Sequence, residues 1–258
     1  MQLTQIRNAT VIIEYADRRF LVDPVLAEKG AYPGFPGTPR SELRNPLVGL
    51  PMSLGDILRV EAVIVTHTHL DHWDEAAARL IPKEMTIFSQ NERDAEAISS
   101  AGFQDVRILS GEVDYKGIKL RKTSGRHGSE AAYANPEMAK QLGEVSGVLF
   151  RHPSEKTVYL TGDTVWNEKV AEVLATYRPD IIIANAGESQ YIEFGAIIMG
   201  AADLMKVHAA APEALIIATH MEAMNLAPLS RRDLRSFAEQ HGFSGNLLIP
   251  ADGETLAI

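Results

Sequence analysis

The sequence contains no cysteine, and this absence restricts the chemistry of any metal site. Disulfides and thiolate ligands are excluded, although the lack of cysteine does not by itself reveal a cellular compartment. Any metal ion must therefore be bound by histidine, aspartate or glutamate side chains.

Long apolar runs are also missing. No segment approaches the length needed to span a bilayer, and the N-terminal stretch "MQLTQIRNATVIIEYADRRF" has no basic region followed by an uninterrupted apolar one. We therefore expect a soluble, cytoplasmic protein without a membrane partner.

Positive charge is scarce relative to negative charge. The chain has 25 lysines and arginines against 34 aspartates and glutamates, a formal net charge of −9, and its basic residues form no stripe. Binding to nucleic acid is not expected from such a distribution. A P-loop and a Gly-x-Ser-x-Gly nucleophile elbow are absent too, so a metal-activated water is the simplest nucleophile and a small molecule the expected partner. Homo-oligomerisation remains open.

The chain has the length and composition of a globular protein. Its 258 residues are 45% hydrophobic and 23% charged, which allows a large core, and we predict one domain over residues 1–258. Two strand-like runs, "ATVIIEY" and "RRFLVDP", form a predicted hairpin with its turn at Ala16 and Asp17. From residue 60 onward, apolar strand runs alternate with helical patterns, which indicates sheets covered by helices.

A segment rich in glycine and proline, at about residues 27–55, interrupts this pattern as a predicted loop insertion. Loops of this length often act as lids or binding loops. The alternatives are a structural excursion or a subunit contact.

Metal-capable side chains are concentrated in "VIVTHTHLDHWDEAA", residues 63–77. In an extended segment alternate side chains point the same way, so His67 and His69 can share one metal ion. The chain then bends toward a helix whose predicted N-cap is Asp74, which lets Asp71 and His72 face a neighbouring point. Solvated loop residues with a capping aspartate are the alternative, but four ligands in this order after a strand make it improbable.

Distant parts of the chain supply further ligand candidates. Three apolar runs end in a metal-capable residue, at His67, Asp163 and His220, and ligands collect at the carboxyl ends of strands in α/β sheets. His127 follows another strand-like run and lies between glycines. We predict that His67, His69 and His127 bind one ion and that Asp71, His72 and His220 bind a second. Asp163 bridges the two ions, and Asp71 also orients the nucleophile or accepts its proton.

The other histidines have structural interpretations. His152 lies in a hairpin turn, His208 in a helix and His241 near a helix C-terminus, so none is predicted to be a ligand.

Five further residues have two interpretations each. Arg126 could bind a substrate anion or be solvated, and Tyr32 and Phe35 could line the pocket or pack their loop. Asp252 and Glu254 could support the site or only form a tight turn. A sixth residue, Asp23 in "LVDP", is predicted to shape the strand exit and support a metal ligand.

The ordered set His67-x-His69-x-Asp71-His72, His127, Asp163 in "TGDT" and His220 in "ATH" resembles that of the metallo-β-lactamase superfamily. The segments "NATVIIEYADRRFLVDP", "LTGDTVWNE", "NAGE" and "PADGETLAI" resemble more narrowly the bacterial ascorbate-6-phosphate lactonase-like branch. The resemblance implies an α/β fold, a four-layer αβ/βα sandwich with two mixed sheets flanked by helices, and a dinuclear site at one edge of the sheets. It separates the chain from diiron flavoproteins, which usually carry a glutamate where His69 stands here.

The predicted function is a dinuclear metal-dependent hydrolase in which a metal-bound hydroxide cleaves an ester, lactone or amide bond of a small molecule. One alternative is a phosphodiesterase acting on a small phosphorylated substrate, and another is a non-catalytic metal-binding sensor or structural protein. Of the two expected divalent ions, Zn²⁺ is the default, while Mn²⁺ and Fe²⁺ also suit imidazole and carboxylate ligands.

Overall fold

The computed structural model describes residues 1–258, which form sixteen strands and eight helices. The strands are β1 (Gln2–Arg7), β2 (Thr10–Tyr15), β3 (Arg18–Val22), β4 (Ala62–Val65), β5 (Thr86–Ser89), β6 (Asp105–Ile108), β7 (Glu112–Tyr115), β8 (Ile118–Ser124), β9 (Ser146–Arg151), β10 (Val158–Leu160), β11 (Ile181–Asn185), β12 (Gln190–Tyr191), β13 (Gly195–Ala196), β14 (Leu215–Thr219), β15 (Leu247–Leu248) and β16 (Thr255–Ala257). The helices are α1 (Leu54–Ile57), α2 (Glu75–Leu80), α3 (Glu92–Ser100), α4 (Glu130–Ala134), α5 (Pro136–Leu142), α6 (Glu168–Tyr177), α7 (Ala201–Ala210) and α8 (Arg231–Gln240).

Two seven-stranded mixed sheets form the centre of the molecule. The first has the order β16-β1-β2-β3-β4-β5-β6, and the second has the order β15-β14-β11-β10-β9-β8-β7. Strands β3 to β6 pair in parallel, as do β10, β11, β14 and β15, while the remaining neighbours are antiparallel. Parallel pairs require crossover connections, and helices α2, α3, α6, α7 and α8 follow strands in these halves of the sheets.

The central strands of each sheet are buried on both faces because each sheet packs against the other sheet and against helices, whereas the edge strands β6, β7 and β16 are partly exposed. In β4, Ala62 and Ile64 join the core between the sheets, whereas Val63 and Val65 face the core under α2 and α3. The second sheet repeats this alternation and packs its outer face on α6, α7 and α8. The result is the αβ/βα sandwich that the ligand motif implied.

The local predictions hold for the first hairpin and for the helix after the histidine-rich segment. Ala16 and Asp17 form the turn between β2 and β3 with φ of 47° and 59°, as a tight hairpin of right-handed twist requires. Asp74 caps α2, since its side chain accepts a hydrogen bond from the backbone N–H of Ala77. Sequence patterns did not reveal β1, β12, β13, β16, α1, α4 or α5, which are short or lack a clear apolar period.

Residues 27–53 contain no helix and no strand beyond a single bridge between Tyr32 and Asn45. The segment is nevertheless anchored: the buried guanidinium of Arg7 donates to the carbonyls of Val25, Ala27 and Val48. Hydrogen bonds from Arg7 and to Asn225 therefore tie this segment to the rest of the protein.

The longest helices have ten residues, which is too short for any of them to cross a bilayer.

Candidate metal centre

The predicted ligands meet at the edge where strands of both sheets end. His67 follows β4 of the first sheet, while Asp163 and His220 follow β10 and β14 of the second. His127 follows β8, also in the second sheet. Facing the two sheets against each other thus brings together residues more than 150 positions apart in the chain.

The first group consists of His67, His69 and His127, whose nearest ligand atoms lie within 4.8 Å of one another. His67 Nε2 lies 2.9 Å from His69 Nδ1. His67 and His127 are buried, and His69 is partly exposed. These are the three residues predicted to share one ion.

The second group consists of Asp71, His72, Asp163 and His220, all buried, with ligand atoms again within 4.8 Å. His72 Nε2 lies 3.2 Å from His220 Nε2 and 3.1 Å from Asp163 Oδ2. His220 Nε2 lies 3.4 Å from Asp71 Oδ2. This is the predicted second set of ligands together with the bridging aspartate.

Asp163 lies between the two groups. Its Oδ2 atom is 3.1 Å from His72 Nε2 and 3.8 Å from His127 Nε2, so one oxygen approaches a histidine of each group. Its Oδ1 atom accepts a hydrogen bond of 2.7 Å from Asn185 Nδ2, which fixes the plane of the carboxylate. The position is compatible with a carboxylate that bridges two ions.

Three histidines are held in the tautomer that a metal ligand requires. His69 Nε2 donates to the carbonyl of Gln141 and His127 Nδ1 donates to that of Ile197, each at 2.9 Å. His72 Nδ1 donates to Asp23 at 2.8 Å. The other nitrogen of each ring faces the centre, and it can donate a lone pair to a metal ion when the ring is neutral.

Burial and the neighbouring charges shift the pKa values of the histidines in opposite directions in the two groups. Burial lowers the pKa of His67 well below its usual value, with His72 and His69 adding repulsion, and burial lowers the pKa of His127 to about 4. These imidazoles are neutral at pH 7, the form that binds metal.

In the second group the carboxylates dominate. Burial alone would lower the pKa of His72, but Asp163 and Asp23 outweigh it and raise the pKa well above its usual value. Burial would raise the pKa of Asp71, yet the hydrogen bond from His220 and the positive charge of His72 and His220 lower it to about 2. The two carboxylates therefore attract positive charge, which bound cations can supply in place of protons.

The residues fit a divalent metal centre by their donor chemistry. Imidazole nitrogens and two buried carboxylates converge in two groups, with ligand atoms within 4.8 Å of one another in each. Positive charge among them offsets the cost of burying the carboxylates. Imidazole and carboxylate donors suit Zn²⁺, Mn²⁺ and Fe²⁺.

Further side chains hold the ligands in place. Asp23 accepts hydrogen bonds from His72 Nδ1, from the Thr66 hydroxyl and from the Thr66 backbone N–H, which confirms its predicted supporting contact. Asn8 Nδ2 donates to the carbonyl of Asp71 at 2.9 Å and lies 3.3 Å from His220 Nε2. A carboxylate that accepts the ring N–H of a histidine, as Asp23 does for His72, orients that histidine and raises its basicity.

A cavity of about 120 Å³ opens beside the cluster. Its polar lining is His69, Asp71, His127, Gln141 and Asp163. Its apolar lining is Phe35, Leu70, Leu142, Tyr191, Ile197 and Leu226. No lysine or arginine lines it, and the volume is well below the roughly 300 Å³ at the small end of drug-sized ligand sites.

Of the residues that had both a functional and a structural interpretation, some line the cavity and others do not. Phe35 lines the cavity, so the Gly/Pro-rich segment supplies part of its wall, whereas Tyr32 packs on the core beneath the first sheet. Arg126 lies outside the cavity and pairs with Glu130 and Glu168.

The C-terminal turn has its own partners. Asp252 pairs with Arg231, and Glu254 accepts the backbone N–H of Ala251. The structural interpretation holds for both carboxylates.

The three remaining histidines lie apart from both groups. His152 bonds to Ser154 in its turn, His208 stacks on Phe243, and His241 caps α8 beside Phe237.

Sequence analysis missed Asn8, Asn185, Gln141 and Tyr191. Asn185 ends the apolar run "IIIAN" and carries the same strand-end signal that identified Asp163, so it could have been found. Asn8, Gln141 and Tyr191 lie in short elements or turns and carry no local signal.

Two mixed sheets packed face to face, with helices outside and a histidine–aspartate cluster at the shared strand edge, define a metallo-β-lactamase type of fold. Residues 18–221 match the model of the β-lactamase superfamily domain, and the chain belongs to this family. The superfamily predicted from the ligand motif is thereby confirmed, while the narrower lactonase-like branch stays a prediction.

Similar proteins cover the whole chain. The UPF0173 protein YddR of Bacillus subtilis is 48% identical over 256 residues, 99% of each chain. A crystal structure of an isothiocyanate hydrolase from Delia radicum gut bacteria superposes with a TM-score of 0.98 at 47% identity, covering 100% of this chain and 99% of the other. A possible metal-dependent hydrolase from Veillonella parvula has the same TM-score and coverage at 46% identity.

Proposed function

We propose that this protein is a metal-dependent hydrolase that attacks an electrophilic carbon in a small, uncharged, largely apolar molecule. The observation that carries the proposal is the cavity: six apolar residues lead directly to the metal-binding carboxylates and imidazoles, with no cationic side chain between. In this proposal two divalent ions are held by His67, His69, Asp71, His72, His127, Asp163 and His220.

The bound ions would acidify a water molecule and polarise the scissile group of the substrate. Side chains of the protein would position the water and the metal ligands for this chemistry. Asp71, which lines the cavity, would orient the attacking water and accept its proton. Asp23 and Asn185 hold His72 and Asp163 in position through hydrogen bonds of 2.8 and 2.7 Å.

Two kinds of substrate share the required features. A small ester, lactone or amide presents a neutral carbonyl carbon, and an isothiocyanate presents a neutral carbon between nitrogen and sulfur. The relative that is 47% identical over the full chain is an isothiocyanate hydrolase, which supports including the second kind. Adding one water to an isothiocyanate releases a primary amine and carbonyl sulfide, so both products can be measured.

A phosphodiester is the less suitable substrate. Beyond the proposed ions, the cavity offers no lysine or arginine, the residues that usually pair with phosphate.

We also propose that residues 1–258 form one hydrolase domain. The two chain ends meet in the first sheet, where Leu3 of β1 pairs with Leu256 of β16. Both sheets contribute ligands to the same centre, so neither half holds the complete site.

The test is a substrate panel with metal-reconstituted protein: allyl isothiocyanate, phenyl acetate, γ-butyrolactone and bis(p-nitrophenyl) phosphate. We expect turnover of at least one neutral substrate, lost in Asp71→Asn and kept in Asp114→Asn, an exposed strand residue. Cleavage of the phosphodiester alone would overturn the substrate class. A folded, metal-loaded protein that turns over none of them would favour the sensor or structural role.

A further inference from the structure

Two cavities of different character lie on either side of Gln141. One is the apolar cavity of about 120 Å³ beside the metal cluster. The other is a groove of about 430 Å³ with a single hydrophobic residue, Leu142, in its lining. Both cavities are lined by His69, Gln141 and Leu142, so these residues form the boundary between them.

Gln141 is fixed at this boundary by both its side chain and its backbone. It lies in the last turn of α5, and its Nε2 atom donates to the hydroxyl of Tyr191, which also lines the apolar cavity. Its carbonyl accepts the 2.9 Å hydrogen bond from His69 Nε2. The backbone contact holds a proposed metal ligand, whereas the side-chain contact links α5 to β12.

The groove beyond the boundary is suited to polar groups. Its lining includes the amides of Gln90 and Asn91 and the charged groups of Arg93, Asp94 and Lys140. An apolar chain would gain little there, whereas a neutral chain that ends in a hydroxyl could form hydrogen bonds.

We propose that the Gln141–Tyr191 pair determines substrate specificity by limiting the length of the substituent on the reacting carbon. This inference rests on the proposed hydrolysis of small neutral molecules. With the pair intact, the substituent ends against the Gln141 side chain. Removing that side chain joins the apolar cavity to the groove and admits a longer substituent with a polar end.

The test compares allyl isothiocyanate with 6-hydroxyhexyl isothiocyanate, and ethyl acetate with 6-hydroxyhexyl acetate if the protein prefers esters. For Gln141→Ala, we expect the ratio of kcat/KM for the long substrate to that for the short one to rise about 10-fold, mainly through KM of the long substrate. That change corresponds to ~1.4 kcal/mol, about the value of one net hydrogen bond. Tyr191→Phe should shift the ratio in the same direction but less, since its ring still fills the space.

Glu137→Ala is the matched control, because this exposed residue of the same helix lines neither cavity. For this variant, the ratio of kcat/KM for the long substrate to that for the short one should stay within about twofold of the value for the unmodified protein. The metal content of Gln141→Ala should equal that of the unmodified protein, because the backbone carbonyl that accepts the hydrogen bond from His69 remains.

A binding measurement separates this inference from the proposed function. Calorimetry with two unreactive neutral analogues, N-allylthiourea and N-(6-hydroxyhexyl)thiourea, should show that Gln141→Ala gains affinity for the long analogue only. If the unmodified protein hydrolyses the short substrate but Gln141→Ala changes neither ratio nor affinity, the specificity role is wrong. If no substrate reacts but the affinity shift occurs, the boundary is right and the proposed function is wrong. Equal efficiency of the unmodified protein on both substrates would also overturn the inference.

Discussion

Asp163→Asn is the most informative single substitution at the metal centre. The side chain keeps nearly the same size but loses its charge, and one ligand oxygen becomes an amide nitrogen. Asp163 is buried and lines the cavity, so its charge acts in a site with little solvent screening. The amide oxygen can still accept from Asn185, as Oδ1 does now, and this leaves the amide NH₂ where Oδ2 faces His72 and His127.

The expected magnitude follows from these contacts. Two unit charges about 4 Å apart interact by about 4 kcal/mol at an effective dielectric constant near 20, and the substitution removes one of them. The second ion should be weakened more than the first, because His67, His69 and His127 still hold the first. Hydrolysis should fall by at least about 10²-fold, or ~2.7 kcal/mol in the activation barrier.

The measurement is metal titration alongside turnover, with circular dichroism to confirm the fold. Asp105→Asn is the control, because that carboxylate lies in a surface ion pair with Arg107, and it should keep both metal affinity and rate. An Asp163→Asn protein that retains two tightly bound ions and a near-normal rate would refute the bridging role.

Elemental analysis after metal reconstitution should find about two divalent ions per chain, and a stoichiometry of one would contradict a dinuclear centre. His67→Ala should lose metal and activity while His208→Ala keeps both, and equal losses in two folded variants would show that ligands and bystanders were wrongly separated. Asp23→Asn should cost about 10- to 100-fold in metal affinity or activity, because an amide replaces the carboxylate that accepts the proton of His72 Nδ1; an unchanged affinity would remove its supporting role. Phe150→Ala, in the core between the sheets, should lower the free energy of unfolding by about 3–5 kcal/mol in denaturant titration, and a loss below ~1 kcal/mol would mean that this core is loosely packed.

Local patterns were enough to predict the elements that carry the ligands. Apolar runs such as "AVIV" and "IIIAN" became β4 and β11, and the turn at Ala16 and Asp17 formed as expected. The ligand candidates could also be chosen in advance, because residue type and spacing decide which side chains can donate to a metal and which of them can converge.

The tertiary structure alone decided the shape of the cavity and the partners that hold the ligands. The carbonyl of Ile197 reaches His127 from 70 positions away, and Tyr191 meets Gln141 from 50 positions away. The pairing of β1 with β16 likewise joins the two ends of the chain. Such contacts depend on how whole layers pack, so they leave no local period in the sequence. The capacity to bind a metal ion, by contrast, is a property of each side chain and can be read from the residue type.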